Sequence, residues 1–152
     1  MIVASSASRV PEHTAEHVNK RIHHIIEATV AHYARHPDEI EERLKELDRE
    51  WDIERTLQAN AAALAFSGAI LGLLFKRGWL LLPIGVTAFL FQHAVQGWCP
   101  PVPIFRRLGV RTPQEIEAER YALKALRGDF KEIDSGEKGV AKALQATQRF
   151  PE

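Results

Sequence analysis

Few residues in this chain have the capacity for chemistry. The single cysteine, Cys99, lies in "GWCPPVPIFRRLGVRT" between a tryptophan and two prolines, with Arg106 and Arg107 following. A thiolate near two arginines at an accessible boundary would have a lowered pKa. That would suit a persulfide or disulfide relay with a partner carrying its own cysteine. No resolving cysteine or general base is recognisable nearby, and a small residue before Pro-Pro equally suits a turn where a buried helix stops. A second set is Asn60, Gln92, His93 and Gln96, polar residues near the ends of two apolar stretches. Antiparallel pairing about a turn centred on Arg77 puts Asn60 level with His93 and Ala94, with Gln92 and Gln96 within a turn. Polar side chains at such depth pair with one another or line a pathway. With no acid at that depth, the pattern predicts a hydrogen-bonded clamp and a neutral His93. Histidines form a third set: His13 with His17, His32 with His36, and the adjacent His23 and His24, with Glu16 and Glu27 close by. Paired histidines on one helix face can hold a metal. No HExxH signature is present and the pairs lie more than a dozen residues apart, so they read as solvated faces. No metal and no cofactor is expected.

The elements that must position these residues show a sharp segregation of charge. Lys and Arg total 20, Asp and Glu total 20, and the 152 residues suit one compact unit with tails. The balance gives no polyanion-binding signal, and no nucleic-acid partner is expected. One cysteine excludes an internal disulfide. The N-terminus has no apolar core of signal-peptide length. Yet no charge occurs from Thr56 to Phe75, and none from Gly78 to Phe105 with His93 neutral. A spanning helix needs about 20 mainly apolar residues, so two spans joined by a tight "KRG" turn are predicted. A soluble hairpin buried in an all-α core is the rival, but a chain this small has little surface with which to enclose both helices. Basic residues favour the outer flanks (Arg43, Lys45, Arg49 and Arg55, then Arg106, Arg107 and Arg111) over the turn with Lys76 and Arg77. Both termini are therefore expected in the cytoplasm. Trp51, Trp79 and Trp98 suit interfacial positions. Gly68 and Gly72 form a GxxxG in the first span, with Ala61 and Ala65 as further small positions, a face suited to packing a helix of this chain or of a second copy. Pro83 either starts the second span or kinks it.

Outside the spans the pattern is amphipathic helix. Residues 1–10 are taken as disordered and 11–55 as a cytoplasmic helical arm. Val18, Ile22, Ile25, Ile26, Thr29 and Tyr33 form one stripe from Pro11 to His36; Ile40, Leu44, Leu47 and Trp51 form another. Asp38 is the expected cap after Pro37. The second helix is expected to run unbroken into the first span, because neither Pro nor Gly intervenes before Gly68. The hairpin with its turn covers 56–112, and "CPPVP" is read as non-helical. Thr112, Pro113 and Glu115 open a helix over 113–130 that stops at Gly128. The tail, 131–152, is read as flexible, either a frayed helix or disorder.

The stretch from "ERTLQANAAALAFSGAILGLL" through "LLLPIGVTAFLFQHAVQGWCPPVPIFRRLGVRT" resembles the YgaP-like transmembrane family. Gly97, Trp98, Cys99, Pro100, Leu108, Gly109 and Thr112 carry the resemblance, which covers about Ile53 to Thr112. It implies a small two-helix module of the bacterial inner membrane, associated with rhodanese-type sulfurtransferases and inclined to homo-oligomerise. The chain departs from fused members in having a helical N-terminal extension and no rhodanese cysteine loop, so it implies a membrane module rather than a sulfurtransferase. The expectation is an all-α integral membrane hairpin with cytoplasmic helices before and after. It is read as a non-enzymatic, self-associating anchor or scaffold for a sulfurtransferase-type or other cytoplasmic partner. A Cys99 relay and an oligomeric conduit for a small ion or sulfur species are the alternatives.

Overall fold

The computed structural model describes residues 8–131, 133 and 137–147. Among these the chain is all-helical, and two helices are long and apolar enough to cross a membrane, which weakly suggests a membrane protein. The chain divides into two compact units.

The first unit comprises the described residues through Ile22 together with Trp51–Pro113. It opens with α1 (Arg9–Glu12), where disorder was expected to extend through residue 10; Val10 is buried. Residues 1–7 lie outside the described residues. The predicted helix from Pro11 does not start there. Thr14 Oγ donates to the Val10 carbonyl and Asn19 Nδ2 to the Pro11 carbonyl, closing a turn before α2 (Glu16–Tyr33). Such side-chain bonds to the backbone compete with helix continuation. The first long helix, α4, spans Ile53–Leu74 and is not continuous with α3 (Ile40–Arg49). Asp52 is its N-cap, accepting the Arg55 N–H at 2.8 Å. A good cap starts a helix without help from Pro or Gly, and this is why the unbroken helix does not form. A 3-10 turn, Arg77–Leu80, leads into α5 (Leu81–Gln96). Pro83 falls in the first turn of α5, where helix N–H groups have no intrahelical acceptor and its missing donor costs little. The 16 residues of α5 are few for a span, and the 3-10 turn supplies the remaining length.

"CPPVP" is partly helical, against expectation: α6 covers Val102–Arg107 with Pro101 at its N-cap. Pro103 is tolerated because it sits in the first turn. Val10, Ile53, Leu57, Cys99 and Val102 form the core that ties α1, α4 and α6 together, with Phe105 and Val110 against it.

The second unit takes His23–Glu50 and the chain from Gln114. The arm expected over 11–55 is thus divided between units. Asp38 does not cap: Pro37–Glu39 is a 3-10 turn without a side-chain cap, followed by α3. The helix α7 (Pro113–Arg127) starts and stops where the sequence places it, ending before Gly128. Ile40, Leu44 and Leu47 of α3 pack on Ile116 and Leu123 of α7, with Tyr33 alongside. Arg43 Nε bonds buried Glu119 at 2.8 Å, Arg120 forms an ion pair with Asp48 at 2.6 Å, and Arg127 pairs with Glu41 and Asp129. Within the tail read as flexible, Glu137–Thr147 forms α8.

Candidate functional site

The polar centre of the first unit lies where the long hairpin meets its own N-terminal turn. The Ile53 N–H bonds the Arg111 carbonyl at 2.8 Å, and Asp52 caps the helix just before it. Together they fix the first turn of α4 and hence Glu54. On the other helix, α5 ends at Gly97, whose φ of 75° is left-handed and whose N–H bonds the His93 carbonyl at 2.7 Å. This single bond is the αL helix stop. It places His93 in the last turn of α5, facing α4.

Between these ends the side chains close a chain of bonds. The Glu54 carboxylate accepts from His93 Nε2 at 2.9 Å and from Arg9 Nη2 at 2.8 Å. Arg9 Nη1 donates to the Ala94 carbonyl at 2.9 Å. An ionised carboxylate only accepts, so Nε2 carries the imidazole hydrogen. The His93 bond first, and then the Arg9 bond, hold the Glu54 carboxyl below the usual carboxylate range against a burial effect of opposite sign. His93 is 2% exposed, and its Nδ1 is buried without a hydrogen-bond partner. Gly97 is required twice over, because a Cβ there would lie 2.5 Å from Arg9 Cβ and 2.7 Å from Arg9 C, and the second of these is backbone. The N-terminal turn is therefore a strap, seated on Gly97 and pinned through Arg9. A carboxylate that orients an imidazole resembles the base half of a catalytic dyad. Cys99, the one thiol, is buried in an apolar core. The observed set can hold a proton and lock two helices to the strap.

The predicted residues are placed differently from one another. Cys99 is 6% exposed and burial pushes its thiol pKa up, the reverse of what an activated thiolate needs. Gly68 and Gly72 are buried against the 3-10 turn and the start of α5: a Cβ at Gly68 would lie 2.7 Å from Pro83 Cδ, and at Gly72 2.5 Å from Leu80 Cδ2. Ala61 and Ala65 are half-buried on the same stripe. The polar layer is not assembled as expected. Asn60 is exposed and its amide donates to the Thr56 carbonyl of its own helix, while Gln92 is half-buried and Gln96 exposed. Of that set His93 bonds across to the other helix, and its partner is an acid, Glu54. The reason is helical phase. Small and buried positions recur at 72, 68, 65, 61 and 57, so Glu54 continues the stripe and Asn60 falls beside it. The paired histidines are exposed, and among the described residues no group of three or more ligands could hold a metal.

Arg9, Glu54 and Asn19 were not singled out by the sequence, and Arg106 entered only as a flank charge and a neighbour of Cys99. Arg106 is fully buried, donating to the Val110 carbonyl at 3.1 Å and to Asn19 Oδ1 at 3.0 Å, while Asn19 itself holds the Pro11 carbonyl. It serves the fold of the strap and not the flank charge counted for it. Comparisons with protein-family models, with curated proteins and with solved structures find no match.

Proposed function

We propose that the chain is a hairpin membrane anchor: α4 and α5 cross the bilayer, both termini stay in the cytoplasm, and a folded helical unit is held at the surface for a cytoplasmic partner. The observation that carries this reading is the exposure of the two long helices. Phe66, Leu73, Leu81 and Phe91 are 69%, 82%, 72% and 72% exposed. In water, so continuous an apolar surface would be an aggregation hazard; in lipid it is the solvated face. The core helix of a soluble protein would instead be covered. The YgaP-like resemblance, an inner-membrane location and association with other copies belong to the same proposal. Because the GxxxG face is filled by the chain's own second span, self-association would use the outward faces. The relay and conduit readings lose support, since Cys99 is buried and the expected polar layer does not form.

The test introduces single cysteines into a Cys99→Ser background. Gly78 at the tip has open space around it, and Glu42 is exposed on α3. A membrane-impermeant maleimide should label Gly78→Cys in intact cells and Glu42→Cys only in inverted vesicles, with the chain resisting carbonate extraction. Release by carbonate, or equal labelling of both positions from one side, overturns the reading.

A further inference from the structure

The flanking cations that the sequence counts together are sorted by the fold into those that serve it and those that face outward. Arg106 is 0% and Arg111 7% exposed, and Arg9 is taken by Glu54 and Ala94. In the first unit this leaves Arg55 and Arg107, joined by Arg21, which the flank count had not included. All three are exposed. Among the described residues none of the three forms an ion pair. Arg21 Nη2 donates to the Arg107 carbonyl at 2.6 Å, which brings these two guanidinium-bearing residues together. The Arg55 guanidinium stacks over the ring of exposed Trp51 at 4.4 Å. The two acids of this end are engaged: Asp52 accepts the Arg55 N–H, and Glu54 accepts from Arg9 and His93.

We propose that Arg21, Arg55 and Arg107, with Trp51, form a collar that binds the phosphates of anionic phospholipids; this rests on the hairpin reading above. Three observations converge on that partner. Arg55 immediately precedes the uncharged run that begins at Thr56. The bond from the Ile53 N–H to the Arg111 carbonyl keeps the segment after α6 beside the first turn of α4, so Arg107 lies near the same end of the hairpin. If the run lies in hydrocarbon, this end is at headgroup depth. Stacking on Trp51 occupies a face of the Arg55 guanidinium and leaves its in-plane N–H groups free, the geometry in which arginine grips a phosphate bidentately while tryptophan sits at the interface. The Asp52 carboxylate is turned to the backbone N–H of Arg55 as the cap of α4 and not to a guanidinium of the collar.

The full chain is reconstituted in phosphatidylcholine vesicles, and its association with spin-labelled phosphatidylglycerol is compared with that of spin-labelled phosphatidylcholine by the motionally restricted fraction. Phosphatidylglycerol should be preferred, with the preference falling about five-fold for each of Arg21→Gln, Arg55→Gln and Arg107→Gln and weakening with salt. Arg55→Lys should retain part of it. The tip pair Lys76→Gln and Arg77→Gln should leave it unchanged, and free inorganic phosphate should not abolish it. A chain that inserts but shows no preference, or one whose preference follows the tip pair, overturns the collar while the hairpin stands. A chain that carbonate extracts from these vesicles overturns both.

Discussion

Glu54 is the residue whose removal tests the strap most directly. Glu54→Ala deletes the acceptor for two charge-assisted hydrogen bonds, to His93 Nε2 and Arg9 Nη2. Such bonds contribute about 1.5–3 kcal/mol each. The two donors differ in what they lose. Arg9 retains 23% of its side-chain exposure and can return to water, whereas His93 retains 2% and cannot. Its Nδ1 already lacks a partner, so the variant leaves both ring nitrogens buried and unbonded. Taking the whole range for His93 and the low end for Arg9, the strap should loosen by about 3–4.5 kcal/mol. Hydrogen exchange of the backbone amides from Glu12 to Asn19 reads this opening, and the loss corresponds to roughly a hundred-fold faster exchange or more. Arg9→Ala should give a smaller effect. The double variant should be far from additive, with a coupling of about 1–2 kcal/mol.

The same carboxylate predicts a pH dependence whose sign is fixed. Its folded pKa is depressed, with the His93 bond the first cause. A depressed carboxyl stabilises the folded strap fully above the unfolded value of about 4.3, and that stability is lost as pH falls through the lower folded value. Protection factors of the strap amides, corrected for the intrinsic pH dependence of exchange, should therefore fall on acidification in the wild type, with this component missing in Glu54→Gln. Additive effects of Glu54→Ala and Arg9→Ala, or an unchanged acid limb in Glu54→Gln, would refute the reasoning.

Gly68→Ala should destabilise the hairpin by about 1–3 kcal/mol, because its new methyl meets the rigid Pro83 ring and Leu82 Cβ. Gly72→Ala should cost less, since its nearest neighbours are the movable Leu80 Cγ and Cδ2; chemical unfolding in micelles ranks the two, and the reverse order would contradict the seam. Cys99 should react with maleimide far more slowly than a free thiol and catch up only on denaturation, because it is buried with a raised pKa. In the second unit, Asp48→Ala should cost about 3–5 kcal/mol, the usual cost of leaving a buried charge without its partner. Arg120 is 1% exposed and its guanidinium lies 2.6 Å from the Asp48 carboxylate. A thermal shift near zero would show that Glu117, at 3.4 Å, suffices.

The readable parts of the fold were those written in local chemistry. Two uncharged runs became the two long helices, and Pro113 and Gly128 bound α7 where their types place them. The 3-4 stripe of Ile40, Leu44 and Leu47 became a buried face, and its partner proved to be Ile116 and Leu123 of the same chain. The i,i+4 spacing of Glu39 with Arg43 and of Glu41 with Lys45 invites local pairs, yet Arg43 turns to Glu119 on α7 and to Glu46 of its own helix, and Glu41 turns to Arg127. For the Glu119 pair the reason is burial, since a carboxylate 1% exposed gains more from a cation than an exposed one does. Distance along the chain hid these pairs, and nothing in the local pattern marks them.

The miss at the polar layer has a different cause. Counting levels outward from Arg77 pairs Asn60 with His93 by height alone and ignores which way each residue faces. Phase supplies the missing coordinate. The small and buried positions 72, 68, 65, 61 and 57 step by three or four, and one further step of three reaches Glu54. On α5 the half-buried and buried positions 83, 86, 90, 93 and 97 do the same. The two stripes end on Glu54 and on His93 with Gly97, so both polar residues follow from a pattern already present in the glycines. An acid at the end of a packing stripe, opposite a histidine, is a costly arrangement unless a third group completes it. Arg9 is that group, and it can reach Glu54 because residue 97 has no side chain. Gly97 thus stops α5, admits the strap and lets the carboxylate keep its charge. It is the residue of the "GWCP" stretch on which the local fold depends most, while Cys99, the one that drew chemical attention, fills the core beneath it.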